Sequence, residues 1–303
     1  MKKVVVIGGA VIDLFLYPHQ KMKLHDSNPG YMKRSFGGVG RNIAENLVRC
    51  GVDTTLITVL GKDLWGQEIY EHARDLGMCI NYIEVNETPL YISVIHESGE
   101  DLVSVALMDE IEKMNKEALA SRDVFISPAD LIVVDTNMSE ETLNYIFQTA
   151  KVPVFVDTIS SQKAMRIQHH LQYIHFLKMN LIEAEAISGY RIADGKTLDD
   201  LGHYFIQQGV SEVMITLGSE GVFYQTKDKK ELMKPIHTII KNTTGAGDAF
   251  FAGVIYAKMH DLDPVKAGLA AAAINLQSED AVSKEMNKQH LLKMMEENYD
   301  ELY

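Results

Sequence analysis

The sequence predicts an α/β fold: a mostly parallel sheet covered by helices on both faces, with a small β-sheet lid. Three observations lead there. Short apolar runs of strand length recur at 4–7, 55–59, 131–135, 154–157, 176–179 and 213–216. Stretches with helical period lie between them, among them 40–50, 65–76, 140–150 and 198–208. Such alternation buries short strands between helices and favours parallel pairing. Two segments, 17–36 and 91–105, break the alternation and read as β structure standing off the main body.

In chain order, the opening Met1-Lys2-Lys3 leads into the run 4–7, a buried first strand too short to span a membrane and without a cleavage site after it. The segment 17–36 carries Pro18 and Ser27-Asn28-Pro29-Gly30 and few helix signals. Residues 91–105 alternate apolar and polar around Glu97-Ser98-Gly99-Glu100, the pattern of a β-hairpin. The run 213–216 turns through a glycine loop into a strand over 222–225, and the late chain becomes helical at 246–259, 264–277 and 287–297. With no repeat, low-complexity tract or linker, the 303 residues are expected to form one domain.

Composition narrows the function. The formal net charge of -13 lacks the basic footprint of a protein that binds DNA or RNA polymers. Cys50 and Cys79 lie far apart, which offers neither a disulfide framework nor a zinc site and suits a reducing cytoplasm. The eleven histidines form no metal-ligand pattern, and no membrane partner is expected.

The strongest local signal is Asn242-Thr243-Thr244-Gly245-Ala246-Gly247-Asp248 before an apolar helix. Small residues at a helix start leave N–H groups bare for an anion, which the helix dipole also favours. A carboxylate in that first turn makes sense as the base that takes a proton from an attacking hydroxyl. A capped helix with an acidic first turn is the other reading.

Gly37-Gly38-Val39-Gly40-Arg41-Asn42 also precedes a helix. Its glycines allow close approach to a ligand, and Arg41 and Asn42 offer donors there. A plain glycine turn is the alternative, and no Walker Gly-Lys-Ser/Thr follows. Thr216-Leu217-Gly218-Ser219-Glu220-Gly221 sits at a strand's carboxyl end, the edge where open α/β sheets bind ligands. Asn180 and Glu183, one turn apart after the strand 176–179, share a face that suits a water-bound Mg²⁺; a solvated first-turn Glu would look the same. Asp13 could accept from two sugar hydroxyls, or be a satisfied buried carboxylate.

With these motifs the chain resembles the ribokinase, or phosphofructokinase-B, family of carbohydrate and nucleoside kinases, from about residue 4 to about 292. The resemblance implies a ribokinase-like three-layer sandwich, with ATP as co-substrate and Mg²⁺. It implies an anion hole at Gly245, Ala246 and Gly247 with Asp248 as catalytic base. Asp13, Gly38 and Asn42 match sugar-holding positions. Thr216, Gly218 and Gly221 match the ATP-phosphate loop, Asn180 and Glu183 the Asn-x-x-Glu motif, and Asn275 the adenosine side. The inserted β segments match a lid that often also forms a homodimer interface.

Ser27-Asn28-Pro29-Gly30, the segment 37–47 and Thr136-Asn137-Met138-Ser139 look like the branch that acts on pseudouridine, with Asn137 a candidate reader of the base. Asn242 stands where most relatives carry Asp, which removes a carboxylate from the family's monovalent-cation site. Met179 stands in the family's usual Lys-Pro-Asn, a change expected to be harmless. The expectation is ATP-dependent phosphorylation of the 5′-hydroxyl of pseudouridine. The alternatives are another ribonucleoside or ribose as acceptor, or a sugar-binding regulator that kept the fold without catalysis.

Overall fold

The computed structural model describes residues 2–97 and 101–299. From the amino end the elements are β1 (Lys3–Ile7), β2 (Val11–Pro18), β3 (Gly30–Gly37), α1 (Val39–Arg49), β4 (Asp53–Gly61) and α2 (Leu64–Asp75). There follow β5 (Cys79–Val85), β6 (Leu90–Ile95), β7 (Asp101–Leu107), α3 (Lys116–Ala120), α4 (Asp123–Ile126), β8 (Leu131–Asp135) and α5 (Glu140–Thr149). The middle holds β9 (Val154–Asp157), α6 (Ser161–Ala164), β10 (Phe176–Asn180), α7 (Leu181–Ser188), α8 (Leu198–Gln207) and β11 (Glu212–Thr216). The chain closes with β12 (Val222–Thr226), β13 (Lys230–Met233), α9 (Ala246–His260), α10 (Pro264–Leu276) and α11 (Lys288–Tyr299).

Nine strands form the main sheet in the order β13-β12-β11-β10-β9-β8-β1-β4-β5. Every pairing from β11 to β5 is parallel, and β12 and β13 add an antiparallel edge. Side-chain alternation explains why the runs are apolar throughout. Val4 and Val6 enter a core under α1, α9 and α10, whereas Val5 and Ile7 enter a second core under α5, α7 and α8. The helix α9 is buried on nearly all sides, as an apolar helix without an amphipathic stripe must be. The expected α/β class is therefore borne out, sheet in the middle and helices on both faces.

Four strands form the small sheet, ordered β3-β2-β6-β7. β6 and β7 pair antiparallel as the alternating pattern predicts; Ser98, Gly99 and Glu100 of the expected turn lie outside the described residues. The first segment differs from expectation. Its strand β2 begins at Val11, so residues 11–16, Asp13 among them, belong to the small sheet. The run Val11-Ile12-Asp13-Leu14-Phe15-Leu16 alternates poorly because Ile12 and Leu14 pack toward α2 while Phe15 stays half-exposed on the other face.

Candidate active site

The carboxyl ends of the parallel strands and the amino ends of α1 and α9 meet along one edge. Backbone crowding there dictates the glycines. A Cβ on Gly38, which has φ +92°, would lie 2.4 Å from the Gly9 carbonyl oxygen, and one on Gly40 would lie 2.7 Å from the Gly8 Cα. Only glycine fits so close an approach. Asp135, at the end of β8, seals the junction: its Oδ2 accepts from Gly9 N at 2.7 Å and Gly40 N at 3.0 Å. Burial pushes the Asp135 carboxyl up, and these N–H bonds oppose the shift.

Arg41 departs from the sequence expectation. It does not offer free donors to a ligand but is buried as a clamp. Its Nε donates to Gly37 O, and Nη2 donates to Phe36 O and to Asn42 Oδ1. Its Nη1 pairs with Glu45 at 2.5 Å, and Glu45 also holds Arg49. Buried and hydrogen-bonded on every side, the guanidinium stabilises the glycine turn and supplies positive potential beneath Asp13.

Asn42, oriented by Arg41, donates through Nδ2 to Asp248 Oδ2 at 2.7 Å. This bond joins two motifs 206 residues apart. Asp248 lies in the first turn of α9 after the left-handed cap Gly245, where a Cβ would strike the Ala281 carbonyl oxygen at 1.9 Å. Burial and then the Asp157 charge raise its pKa to about 6, against the pull of Lys178 and Asn42. Asp13 lies against the Cα of Gly37 on the same side. Burial raises its pKa to about 7; Arg41 opposes this and Asp248 adds to it. Two buried carboxyls with raised pKa values, the charge of Asp248 disfavouring ionisation of Asp13, thus share one end of the cleft.

A second cluster lies along β10 and β11, where Asn180 and Thr216 are neighbours in register. Asn180 and Glu183 make a capping box at the start of α7. Glu183 is not a solvated first-turn residue: it is 3% exposed, and its Oε2 accepts from Asn180 N at 2.8 Å and Thr158 Oγ1 at 2.6 Å. Among the described residues no group of three His, Cys, Asp or Glu side chains is placed to hold a metal. Mg²⁺ bound chiefly through water and phosphates needs only one or two carboxylates, and Glu183 fits that donor set. Gly218 is exposed in the loop after β11 with φ +60°, whereas Gly221 is buried with φ +105° against the Met233 carbonyl.

Asn137 follows β8, with its amide 2.8 Å from a Cβ position on Gly9. Its Oδ1 accepts from Lys163 Nζ at 2.6 Å, and Arg166 Nη1 donates to the carbonyls of Thr136, Asn137 and Met138. Asn275 lies in α10, hydrogen-bonded to the segment before α9. It is fully buried, donates to Thr244 O at 3.1 Å and accepts from Ser283 N at 3.0 Å, so it ties the α9 cap to the chain after α10. Asn242 likewise spends its amide locally, donating to Glu279 O and accepting from Thr244 N, both at 2.9 Å.

Sequence reasoning missed Asp135, Asp157, Lys178 and Lys163. The first two end predicted strands, and Lys178 interrupts the apolar run of β10; a charge inside a buried strand was the available signal.

Similarity to known proteins extends over most of the chain. The pattern of the pfkB family carbohydrate kinases matches residues 1–288. A pseudouridine kinase from Escherichia coli (strain K12) is 37% identical over 256 residues, covering 83% of this chain and 82% of that protein. A ribokinase from Staphylococcus aureus (strain COL) is 26% identical over 292 residues, covering 92% of this chain and 95% of that protein. Among solved structures, a carbohydrate kinase from Agrobacterium tumefaciens matches with a TM-score of 0.85 and 30% identity, covering 97% of each chain.

Proposed function

The chain belongs to the pfkB family of carbohydrate kinases, and from that premise we propose that it transfers the γ-phosphoryl group of ATP to the 5′-hydroxyl of pseudouridine. The observation that carries the chemistry is the buried carboxylate of Asp248 at the amino end of α9, hydrogen-bonded by Asn42 and facing Asp13. The preference for pseudouridine rests on the 37% identity to the Escherichia coli enzyme of that name.

In this reading Asp13, Gly38 and Asn42 hold the ribose. Asp13 accepts from two hydroxyls, and Asn42 keeps Asp248 oriented and largely ionised at neutral pH. Asp248 takes the hydroxyl proton as the oxygen attacks phosphorus. Backbone N–H groups of Gly245, Ala246 and Gly247 stabilise the charge that grows on the phosphoryl oxygens. Thr216, Gly218 and Gly221 shape the loop for the remaining phosphates, beside Asn180. Glu183 would hold Mg²⁺ through water, and the ion supplies neutralisation of phosphate charge. Asn275 acts indirectly, by fixing the α9 cap. The small sheet closes over the sugar and excludes water.

Base selectivity is assigned to Asn137. Pseudouridine keeps a ring N–H that uridine lacks at the linkage, and Asn137 Oδ1 has a second lone pair beside the one Lys163 occupies. An acceptor left unsatisfied by uridine discriminates far more strongly than an apolar contact.

The test is a panel of pseudouridine, uridine, other ribonucleosides and ribose assayed with Mg²⁺ and ATP, with product masses measured. Pseudouridine should give by far the highest kcat/KM. Asp248→Asn should keep nucleotide binding while turnover falls by roughly two to four orders of magnitude. A preference for ribose or parity with uridine would defeat the substrate assignment, and normal turnover in Asp248→Asn would defeat the mechanism.

A further inference from the structure

One face of α1 carries a row of charges one turn apart, Arg41, Glu45 and Arg49. Residues four apart share a helix face, and this face is turned into the protein, so one buried carboxylate serves two guanidiniums. Glu45 Oε2 lies 2.5 Å from Arg41 Nη1, and Oε1 lies 2.7 Å from Arg49 Nη2. His72, in the last turn of α2, brings a third titratable group to the same carboxylate, with Nδ1 3.9 Å from Glu45 Oε2. The imidazole also stacks on Phe36, ring centroids 4.5 Å apart, and Arg41 Nη2 donates to the carbonyl of that same Phe36 at 2.8 Å. His72 thus stands beside two of the groups that hold Arg41 in place.

Burial holds the His72 pKa below its usual value; Glu45 opposes that shift, while Arg41 and Arg49 add to it. The imidazole is therefore neutral at neutral pH, and the carboxylate is shared by two cations. Its side chain is 29% exposed, at a pocket of about 300 Å³ through which a proton can arrive. The other charges around that pocket are already matched: Arg34 of β3 with Glu68 of α2, and Lys284 with Asp280 in the segment after α10. Asp75, one turn beyond His72 on α2, pairs with Arg74. An arriving proton puts three cations around Glu45, and a buried charge that loses its share of the partner is costly.

We infer that His72 is a positioning residue for the proposed base: when its imidazole takes up a proton from water, it draws Glu45 off Arg41 and thereby frees Asn42 from Asp248. The inference rests on the kinase reading above. Arg41 Nη2 donates to Asn42 Oδ1, and Asn42 Nδ2 donates to Asp248 Oδ2 at 2.7 Å, so the path from Glu45 to the base is three side chains long. With Glu45 drawn toward His72 the guanidinium shifts, and the amide it orients loses its bond to Asp248. That carboxyl then holds its proton more tightly, since a donor that favoured its ionised form is gone. Two protons thus switch the site together, one at His72 and one at Asp248, and activity falls with pH more steeply than a lone base allows. His72 acts only through Glu45, Arg41 and Asn42.

The test is the acidic limb of kcat, measured with both substrates saturating and with the preferred acceptor of the panel above. His72→Gln removes the titrating group; His72→Phe, which keeps a ring stacked on Phe36, replaces it if the Gln variant does not fold. At about pH 8 either variant should turn over at the native rate, because His72 is already neutral there. Below about pH 6 the native protein should lose about tenfold more activity per pH unit than the variants, the mark of one additional proton. In an Asn42→Ala background the same His72 substitution should leave the slope unchanged, because the connection to Asp248 is already cut. Equal slopes in the native protein and the neutral variants would overturn the inference, as would a slope difference that survives Asn42→Ala. A kcat lowered alike at every pH would mark His72 as merely structural and overturn it too. Each of these results leaves the kinase reading standing, whereas a native chain that phosphorylates no acceptor would overturn both.

Discussion

Removing the Asn42 amide should detune the proposed base without dismantling its surroundings. Asn42 Nδ2 lies 2.7 Å from Asp248 Oδ2 and stabilises the ionised form of that carboxyl more than the neutral one. A hydrogen bond to a charged group contributes about 1.5–3 kcal/mol, and one pKa unit corresponds to roughly 1.4 kcal/mol. Asn42→Ala should therefore raise the Asp248 pKa from about 6 by about one to two units. Because the base must be deprotonated, activity is lost as pH falls through that pKa, and the variant should lose it at a higher pH. The loop should hold, since Arg41 keeps its bonds to Glu45, Gly37 O and Phe36 O. The assay is kcat against pH with both substrates saturating, which separates the limb from weaker sugar binding. An acidic limb that stays near its native position in Asn42→Ala would refute the coupling of these two motifs.

The raised pKa of Asp13, about 7, means that the folded protein holds a proton there that the unfolded chain releases near pH 4. Stability from this group is greatest at low pH and declines as pH rises through about 7, so Asp13→Asn should melt higher than the native protein at pH 8, by up to a few kcal/mol, and no higher at pH 4. Thermal melts across that range check it, and a benefit that does not grow with pH would count against it. At Asn242 the amide donates to Glu279 O, a contact that an ionised carboxylate cannot make directly and that a bound cation would satisfy. The native protein should thus respond weakly to K⁺ over Na⁺ at constant ionic strength, whereas Asn242→Asp should gain a saturable K⁺ response; strong native activation would reverse this reading.

Some residues of the candidate site were legible because local chemistry forces them. Glycine before a helix, a carboxylate in its first turn and an Asn-x-x-Glu capping pattern are written in consecutive residues. Asp13 was noticed as a polar group after the first strand, yet its own strand was not, because Ile12 and Leu14 alternate with half-exposed Phe15 and Tyr17 too weakly to display a period. Arg41 read as a free donor because nothing in its neighbourhood announces that Glu45, one turn on, buries it. Asn275 was matched to the adenosine side through the family resemblance alone, and its amide partners, Thr244 O and Ser283 N, are supplied by other segments that no local pattern announces.

The sequence by itself determined most strands of the main sheet and the helices between them, their parallel pairing, and which segments present bare N–H groups at the sheet edge, since these follow from periodicity and backbone sterics within a few residues. Only the tertiary structure decided which charges meet. The Asn42–Asp248 bond spans 206 residues, and the Lys178–Asp157 pair joins adjacent strands through their register. The elevated carboxyl pKa values arise from burial and from neighbours on other elements. Burial and Coulomb interactions depend on distance in space, and a linear chain does not carry that distance until its cores have packed.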